Sequence, residues 1–387
     1  MRFLHTADWH VGKTLRGRSR QEEFAAVLDE VIGIAAEENV DAVLVAGDVY
    51  EHRAPSPEAD ELVFDALLRL HDAGIRVVVI AGNHDSAVRM GALAGVLARI
   101  GVTLVPRVVP PEEGSAVEIP ARDGAEAAVV ACVPFVPERR FGDAAALFHS
   151  VEDWYQSYAE NMGRLLEAMA AAFREDRVNV LLAHLFTDGA LLGGGEREAT
   201  IGLEYAVSPA RLPGNAQYLA LGHVHRPQRV RGAPAAARFA GSLLQLDFGE
   251  TQQEKSVAVI EASPGKPARV REIPLRSGRR LVDVRGSLDE LAAAAGDIGD
   301  AYLRVFVSCD GPTPGLAERV REVLPGAVDV HLEYDRAEAE PGAPALSSLA
   351  PRDQFLAYYR SHHGAEPADD LLRAFDEVLA GAAEESG

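Results

Sequence analysis

The sequence predicts an α/β fold built on a largely parallel sheet. Short apolar runs alternate with longer amphipathic stretches, the strand–helix–strand pattern that places helices on the faces of a parallel sheet. Hydrophobic residues make up 48% of the chain, enough for a sizeable core. At 387 residues, two or three domains are expected rather than one.

Arg2–Thr6, Ala42–Ala46 and Arg76–Ala81 read as buried strands, because each is a short apolar run bounded by polar or turn residues. Gln21–Glu38, Pro57–Asp72 and Ser86–Ile100 have helical spacing and lie between or after them. Ala127–Val133, Val178–Ala183, Gln217–Leu221 and Ser256–Ile260 continue the strand count, and Glu152–Arg174 is a long helix candidate. Ser263-Pro264-Gly265 is turn-rich, and a break follows near Ile273–Arg280. Beyond it, Leu281–Val284, Ala301–Val307 and Ala327–Leu332 read as strands of a small βαβαβ-like unit. Its helices are Ser287–Ala295 and Gly315–Val323. Glu338–Pro344, acidic with two prolines, reads as a linker, and the tail from Pro351 to Glu385 carries two amphipathic stretches. The run Gly193-Gly194-Gly195 reads as a mobile loop, because no Lys-Ser/Thr follows to make it a phosphate cradle.

Composition excludes several classes. The formal net charge of −21 argues against a simple electrostatic nucleic-acid binder, since phosphate contacts need Lys and Arg. A DNA substrate would require locally concentrated positive charge, bound metals or a partner chain. Cys132 and Cys309 lie far apart and make neither a disulfide framework nor a zinc ribbon, which fits a reducing cytoplasm. The N-terminus reaches Asp8 before any apolar stretch long enough for a signal peptide. No run of about 18 apolar residues is present, so no membrane span is expected.

Five short blocks fall in order, each at or just after a predicted strand end. They are Asp8-Trp9-His10, Gly47-Asp48, Gly82-Asn83-His84-Asp85, His184 and Gly222-His223-Val224-His225. Ligands of open α/β sheets gather at the carboxyl ends of the strands, so these blocks should converge in space. Their residue types suit a pair of divalent cations about 4 Å apart, which needs a bridging carboxylate and a mixed oxygen and nitrogen shell. Asp8-x-His10 can turn both side chains toward one ion, and each imidazole of His223-x-His225 can take a different ion. Singly, each block has a bland reading as a turn or a surface feature. Their joint order does not.

This series resembles the signature of the calcineurin-like metallophosphoesterases. Phe3-Leu4-His5-Thr6-Ala7-Asp8-Trp9-His10-Val11-Gly12 and Val45-Ala46-Gly47-Asp48-Val49-Tyr50 are similar, within that superfamily, to the SbcD family of bacterial nuclease subunits. So are Leu219-Ala220-Leu221-Gly222-His223-Val224-His225-Arg226 and Ala240-Gly241-Ser242. The resemblance implies a four-layer α/β/β/α phosphoesterase (nuclease) domain over 1–275 and a small α/β capping domain over 276–337. It further implies a linker over 338–350 and a helical partner-binding region over 351–387. It implies a first metal on Asp8, His10, Asp48 and His225, and a second on Asp48, Asn83, His184 and His223, with Asp48 bridging. His84 would face the scissile phosphate or protonate the leaving oxygen, and Asp85 would orient its ring. His5 is expected to be a packed strand residue and Trp9 a wall of the site. The sequence departs from the family pattern three residues after Asp48, where Asp or His is common. Glu51 stands there, followed by His52, and either can be the second phosphate-facing residue. With no thiolate among them, these ligands suit manganese, which the family also prefers, with iron, zinc or magnesium as alternatives.

Lys13, Arg16, Arg18 and Arg20 fall within eight positions right after the first block, dense for so acidic a chain. They are expected to contact a DNA backbone beside the site, with Arg139 and Arg140 as a second candidate. In the tail, Leu371, Leu372, Phe375, Val378 and Leu379 recur at helical spacing, and Phe355, Tyr358 and Tyr359 form another apolar cluster. Such stripes suit helices that dock on a partner. The resemblance implies that the partner is an SbcC-like ATPase subunit and that the nuclease subunit forms a homodimer within a heterotetramer. The expected activity is two-metal exonuclease and endonuclease cleavage of DNA in repair and recombination. A phosphodiesterase or phosphatase acting on a small molecule is the alternative, and a non-catalytic scaffold is a further rival.

Overall fold

A computed structural model describes residues 1–137, 158–196, 205–311, 313–334, 349–363 and 366–384. They form two compact units, Met1–Asp283 with Asp300–Arg304, and Val284–Gly299 with Val305–Gly387.

The first unit contains two six-stranded sheets. The strands of one are β1 (Arg2–Thr6), β2 (Ala42–Val45), β3 (Arg76–Ile80), β4 (Val102–Val105), β11 (Ser256–Glu261) and β12 (Arg269–Pro274). Their order is β12-β11-β1-β2-β3-β4. β1 to β4 run parallel, and β11 and β12 close one edge antiparallel. The other sheet holds β5 (Ala116–Pro120), β6 (Ala127–Val133), β7 (Val178–His184), β8 (Tyr218–Gly222), β9 (Gln228–Arg229) and β10 (Ala236–Phe239). Its order is β5-β6-β7-β8-β10-β9, parallel in the middle and antiparallel at both edges.

Burial on both faces explains the continuous apolar strands. Phe3, Leu44, Val78 and Ile80 of one sheet share a core with Val130, Cys132, Val180 and Leu182 of the other. The opposite face of the first sheet is covered by α1 (Gln21–Glu37) and α2 (Pro57–Asp72), through Phe24, Val27, Val31, Val63 and Leu67. The second sheet is covered by α4 (Tyr158–Ala170), through Met162, Leu165, Leu166 and Met169. The result is the α/β/β/α order of layers. Ser56 caps α2, accepting the Ala59 N–H at 3.3 Å with Pro57 in the first turn. Ser86 caps α3 (Ala87–Leu97) in the same way.

The differences from expectation have local causes. β4, β5, β9 and β12 at the sheet edges, and β10 beside one edge, are short or amphipathic elements whose pattern does not separate them from loops. α3 gives way to a 3-10 turn at Ala98–Ile100, before the left-handed Gly101. α4 ends at Ala170, short of Arg174. Its expected start at Glu152 lies outside the described residues, as do most of the expected linker and both Arg139 and Arg140.

Beyond these sheets, β13 (Leu281–Gly286), β14 (Tyr302–Ser308) and β15 (Ala327–Glu333) form a three-stranded sheet in that order. It alternates with α5 (Leu288–Ile298) and α6 (Leu316–Val323) as expected. α5 begins with a capping box of Ser287 and Glu290. In the tail, α7 (Pro351–His363) and α8 (Asp369–Glu384) pair through Phe355 and Phe375, stacked with ring centroids 4.2 Å apart. Arg352 and Asp376 add an ion pair at 3.1 Å.

Candidate metal centre

The site forms where the chain leaves β1, β2, β3, β7 and β8. After β1 and β2 the backbones continue side by side. Asp8 N–H donates to Gly47 O, and His10 N–H to Asp48 O, each at 3.0 Å. This pairing sets Asp8, His10 and Asp48 against one another. Asp8, His10 and Asp48 all have φ of 50°, and His223 has φ of 103°. Four non-glycine residues in this region, each costing about 1–3 kcal/mol, persist only where the surroundings over-determine them, as at functional sites. Gly47, at φ 88°, has no room for a side chain: a Cβ there would lie 2.9 Å from the Gly82 backbone.

Two groups of buried donors result, and Asp48 belongs to both. Donor atoms of His10, Asp48 and His84 lie within 4.8 Å of one another, as do those of Asp48, His184 and His223. His225 joins the first group, its Nε2 3.1 Å from His10 Nε2. Asn83 joins the second, its Oδ1 2.9 Å from His184 Nε2 and 2.8 Å from His223 Nδ1. Asp8 is fully buried beside them and accepts the His223 backbone N–H at 2.9 Å.

The outer nitrogens decide which lone pairs face inward. His184 Nδ1 donates to Ala46 O at 2.8 Å, which turns Nε2 into the site. His10 Nδ1 lies 2.8 Å from Glu51 Oε2, and His225 Nδ1 lies 3.1 Å from Glu250 Oε1. These carboxylates fix each ring with Nε2 inward, the usual support for a metal-binding imidazole. The inward nitrogens of His10 and His225 therefore oppose each other at 3.1 Å, and those of His184 and His223 at 3.2 Å. Two nitrogens so close repel unless a proton or a metal cation lies between them, and the carboxylates around His225 favour positive charge there. Such separations match two bonds of about 2.1 Å to one ion. Burial pushes the His10 ring down to about 3 and His184 well below its usual value, so both are in the neutral, ligating form. Burial also pushes the Asp8 carboxyl up to about 7, and a cation beside it would favour the ionised form. The donor set fits a divalent metal.

All seven sequence-predicted ligands, Asp8, His10, Asp48, Asn83, His184, His223 and His225, meet here. Other expectations need correction. Asp85 does not orient His84. Its carboxylate accepts the N–H groups of Gly82, Val49 and Tyr50 at 2.9, 3.2 and 3.1 Å, tying the third block to the second. His84 Nδ1 instead donates to Glu51 O at 2.8 Å. The Glu51 carboxylate is committed to His10 and, at 3.1 Å, to Lys13, while His52 is exposed. Trp9 does not wall the site. It packs in the helix-side core and donates to Thr6 Oγ1 at 3.0 Å. Phe135, stacked on His223 with centroids 6.1 Å apart, takes that role. His5 is packed as expected, its Nδ1 3.0 Å from the Tyr218 hydroxyl.

Among the basic residues, Arg16 and Arg18 are exposed on a tight hairpin. Leu15 and Arg18 exchange backbone hydrogen bonds at 3.0 Å, and Arg16 and Gly17 both have positive φ, as a two-residue turn of this hand requires. Arg20 is no surface residue. It is 2% exposed and bonded to Glu23 and to Gln245 O. The Gly193–Gly195 run is not a loose loop either, because it packs against His225 and Glu250. Glu196, Glu250 and Lys255, which border His225, went unnoticed in the sequence, since isolated acids and a lysine in loops carry no motif. Of the tail residues, Phe355 and Phe375 are spent on each other. Tyr358, Leu371, Val378 and Leu379 stay exposed, and Tyr359 and Leu372 are half-buried.

Comparison with known proteins agrees with this geometry. The calcineurin-like phosphoesterase family matches residues 1–227. The family described as type 5 capsule protein repressor C-terminal domain matches residues 277–363. The chain is 33% identical to the SbcD subunit of nuclease SbcCD from Bacillus subtilis over 397 residues, covering 100% of this chain and 99% of the relative. It is 34% identical to the SbcD subunit from Rhodobacter capsulatus, covering 76% of each chain. The SbcD subunit of Escherichia coli K12 is 32% identical, covering 76% of this chain and 73% of the relative. Among the described residues, no helix is long and apolar enough to cross a membrane.

Proposed function

The chain belongs to the calcineurin-like phosphoesterases, and within them to the SbcD family of SbcCD nuclease subunits; from that premise we propose a manganese-dependent DNA exonuclease and endonuclease of repair and recombination. It acts as the nuclease subunit beside an SbcC-like ATPase, as a dimer within a heterotetramer in the cytoplasm. The observation that carries the chemistry is the pair of buried donor clusters sharing Asp48. Asp8, His10, Asp48 and His225 hold one ion, and Asp48, Asn83, His184 and His223 the other. When bound, the two ions supply Lewis acidity toward the phosphate and toward the attacking water.

The chain's own residues do the rest. Glu51 holds His10 through its carboxylate and His84 through its carbonyl, so one residue sets two rings. His84 stabilises charge on the phosphate or gives a proton to the leaving oxygen. Arg16 and Arg18, on a hairpin that starts five residues past His10, hold the DNA backbone. A net charge of −21 leaves DNA attraction to the metals, the hairpin and the partner. The exposed side chains of α7 and α8 dock on the ATPase subunit.

The test is digestion of end-labelled duplex DNA with manganese, with and without the ATPase subunit, beside a nucleotide phosphodiester assay. Metal-dependent DNA cleavage that the partner stimulates supports the reading. Turnover of the small ester with intact DNA would replace it with a small-molecule phosphodiesterase. Inactivity on both, with no bound metal, would leave a scaffold.

A further inference from the structure

We propose that Glu250, neutralised by Lys255, is the positioning residue that commits His225 to the metal, and that Glu196 locks the glycine run over this arrangement. The inference rests on the two-metal reading above.

Glu250 is fully buried, and each carboxylate oxygen has assigned work. Oε1 lies 3.1 Å from His225 Nδ1. Oε2 accepts the Leu246 N–H at 2.9 Å and meets Lys255 Nζ at 2.8 Å. Lys255 is 6% exposed and also donates to His225 O at 2.9 Å, Ser242 Oγ at 2.8 Å and Gln253 Oε1 at 3.0 Å. His225 is thus gripped at both ends, its ring by the acid and its backbone by the base. A surface histidine needs none of this. A buried ion pair is a costly way to gain stability, since apolar residues of similar volume often do as well. Its place beside one imidazole is accounted for by what it does to that ring. It fixes the proton on Nδ1 and strengthens Nε2 as a donor, the effect of a carboxylate behind a metal-binding histidine.

Glu196 closes the arrangement from the other side. Its Oε1 accepts the N–H of Gly193 at 2.6 Å and of His225 at 3.0 Å, and its Oε2 accepts the N–H of Gly194 at 2.8 Å. The glycines make this approach close. A Cβ on Gly193 would lie 3.0 Å from His225 Cβ, and one on Gly195 3.0 Å from His225 Nδ1 and 3.1 Å from Glu250 Oε1. A side chain at Gly195 would crowd the His225 ring and its acid, and one at Gly193 would crowd the His225 Cβ and the Glu196 carboxylate.

The test is manganese titration of the full chain by calorimetry and electron paramagnetic resonance, with thermal unfolding of the metal-free proteins alongside. The variants are Glu250→Gln, Glu250→Gln with Lys255→Met, and His225→Ala. Glu250→Gln leaves Lys255 without its counter-ion, so the double variant, which buries no net charge, guards against misfolding. His225→Ala should lose one ion of two. Both Glu250 variants should bind that ion about 10–100-fold more weakly and the other ion normally, with the altered spectrum confined to the weakened ion. The double variant should melt near wild type and still bind weakly. Wild-type affinity for both ions in the folded double variant, with one ion lost in His225→Ala, would overturn the positioning role alone. Two normally bound ions in His225→Ala would overturn the metal assignment and the inference together.

Discussion

His84 is held by the backbone carbonyl of Glu51, with Nδ1 2.8 Å from that oxygen. Its chain neighbour Asp85 faces the other way, into the backbone amides of Val49, Tyr50 and Gly82. The third strand-end block therefore divides its labour. Asn83 turns to His184 and His223, Asp85 stitches the turn to the second block, and His84 projects beside His10 and Asp48.

His84→Asn should separate chemistry from binding. The variant should keep both ions and normal DNA affinity, yet cleave about 10²–10⁴-fold more slowly, the usual worth of a general acid or base. Metal content, DNA affinity and single-turnover cleavage on one preparation check this. Because His84 lies within 4.8 Å of His10 and Asp48, loss of an ion would make it a ligand instead.

Asp48→Ala should abolish activity and empty at least one metal site. Asp48 is the residue common to both donor groups, and no neighbour can replace a shared carboxylate. Mass spectrometry of the folded variant measures the loss. Normal manganese content with normal turnover would refute a shared site.

Arg16→Ala with Arg18→Ala should weaken DNA binding while leaving hydrolysis of a small chromogenic phosphodiester nearly unchanged. For every phosphate no longer neutralised, the log–log salt slope should fall by about 0.9. Binding measured across a salt series decides it, and an unchanged slope would make the hairpin merely solvated surface.

Arg20→Ala should behave differently from its two neighbours on the loop. Its ion pair with Glu23, at 2.8 Å, has side chains only 1% and 10% exposed. Removing one partner leaves a largely buried charge unpaired, at a cost of about 3–5 kcal/mol. Thermal or urea unfolding should show the loss, and the salt slope of DNA binding should not change. An unaltered melting temperature would contradict the structural role.

Removal of residues 345–387 should leave a folded, metal-loaded protein that no longer binds an SbcC-like subunit. α7 and α8 stack Phe355 on Phe375 and leave Tyr358, Leu371, Val378 and Leu379 exposed. Co-purification at full yield with the shortened chain would refute docking through these helices.

By itself the sequence determined the central strands, the main helices and the residues that meet in the two donor clusters. The reason is physical: buried parallel strands must be apolar, crossover helices must be amphipathic, and donor residues such as Asp8, Asp48 and His184 sit where those strands end. Tertiary structure alone decided what depends on contact across the fold. Arg16 and Arg20 are equally basic in the sequence, but only Arg20 meets Glu23 and the Gln245 carbonyl in a buried setting. Asp85 follows His84 directly, yet the turn sends their side chains apart. Glu250 and Lys255 carry no periodicity or motif. They became legible only when folding brought them to His225, 25 and 30 residues back along the chain.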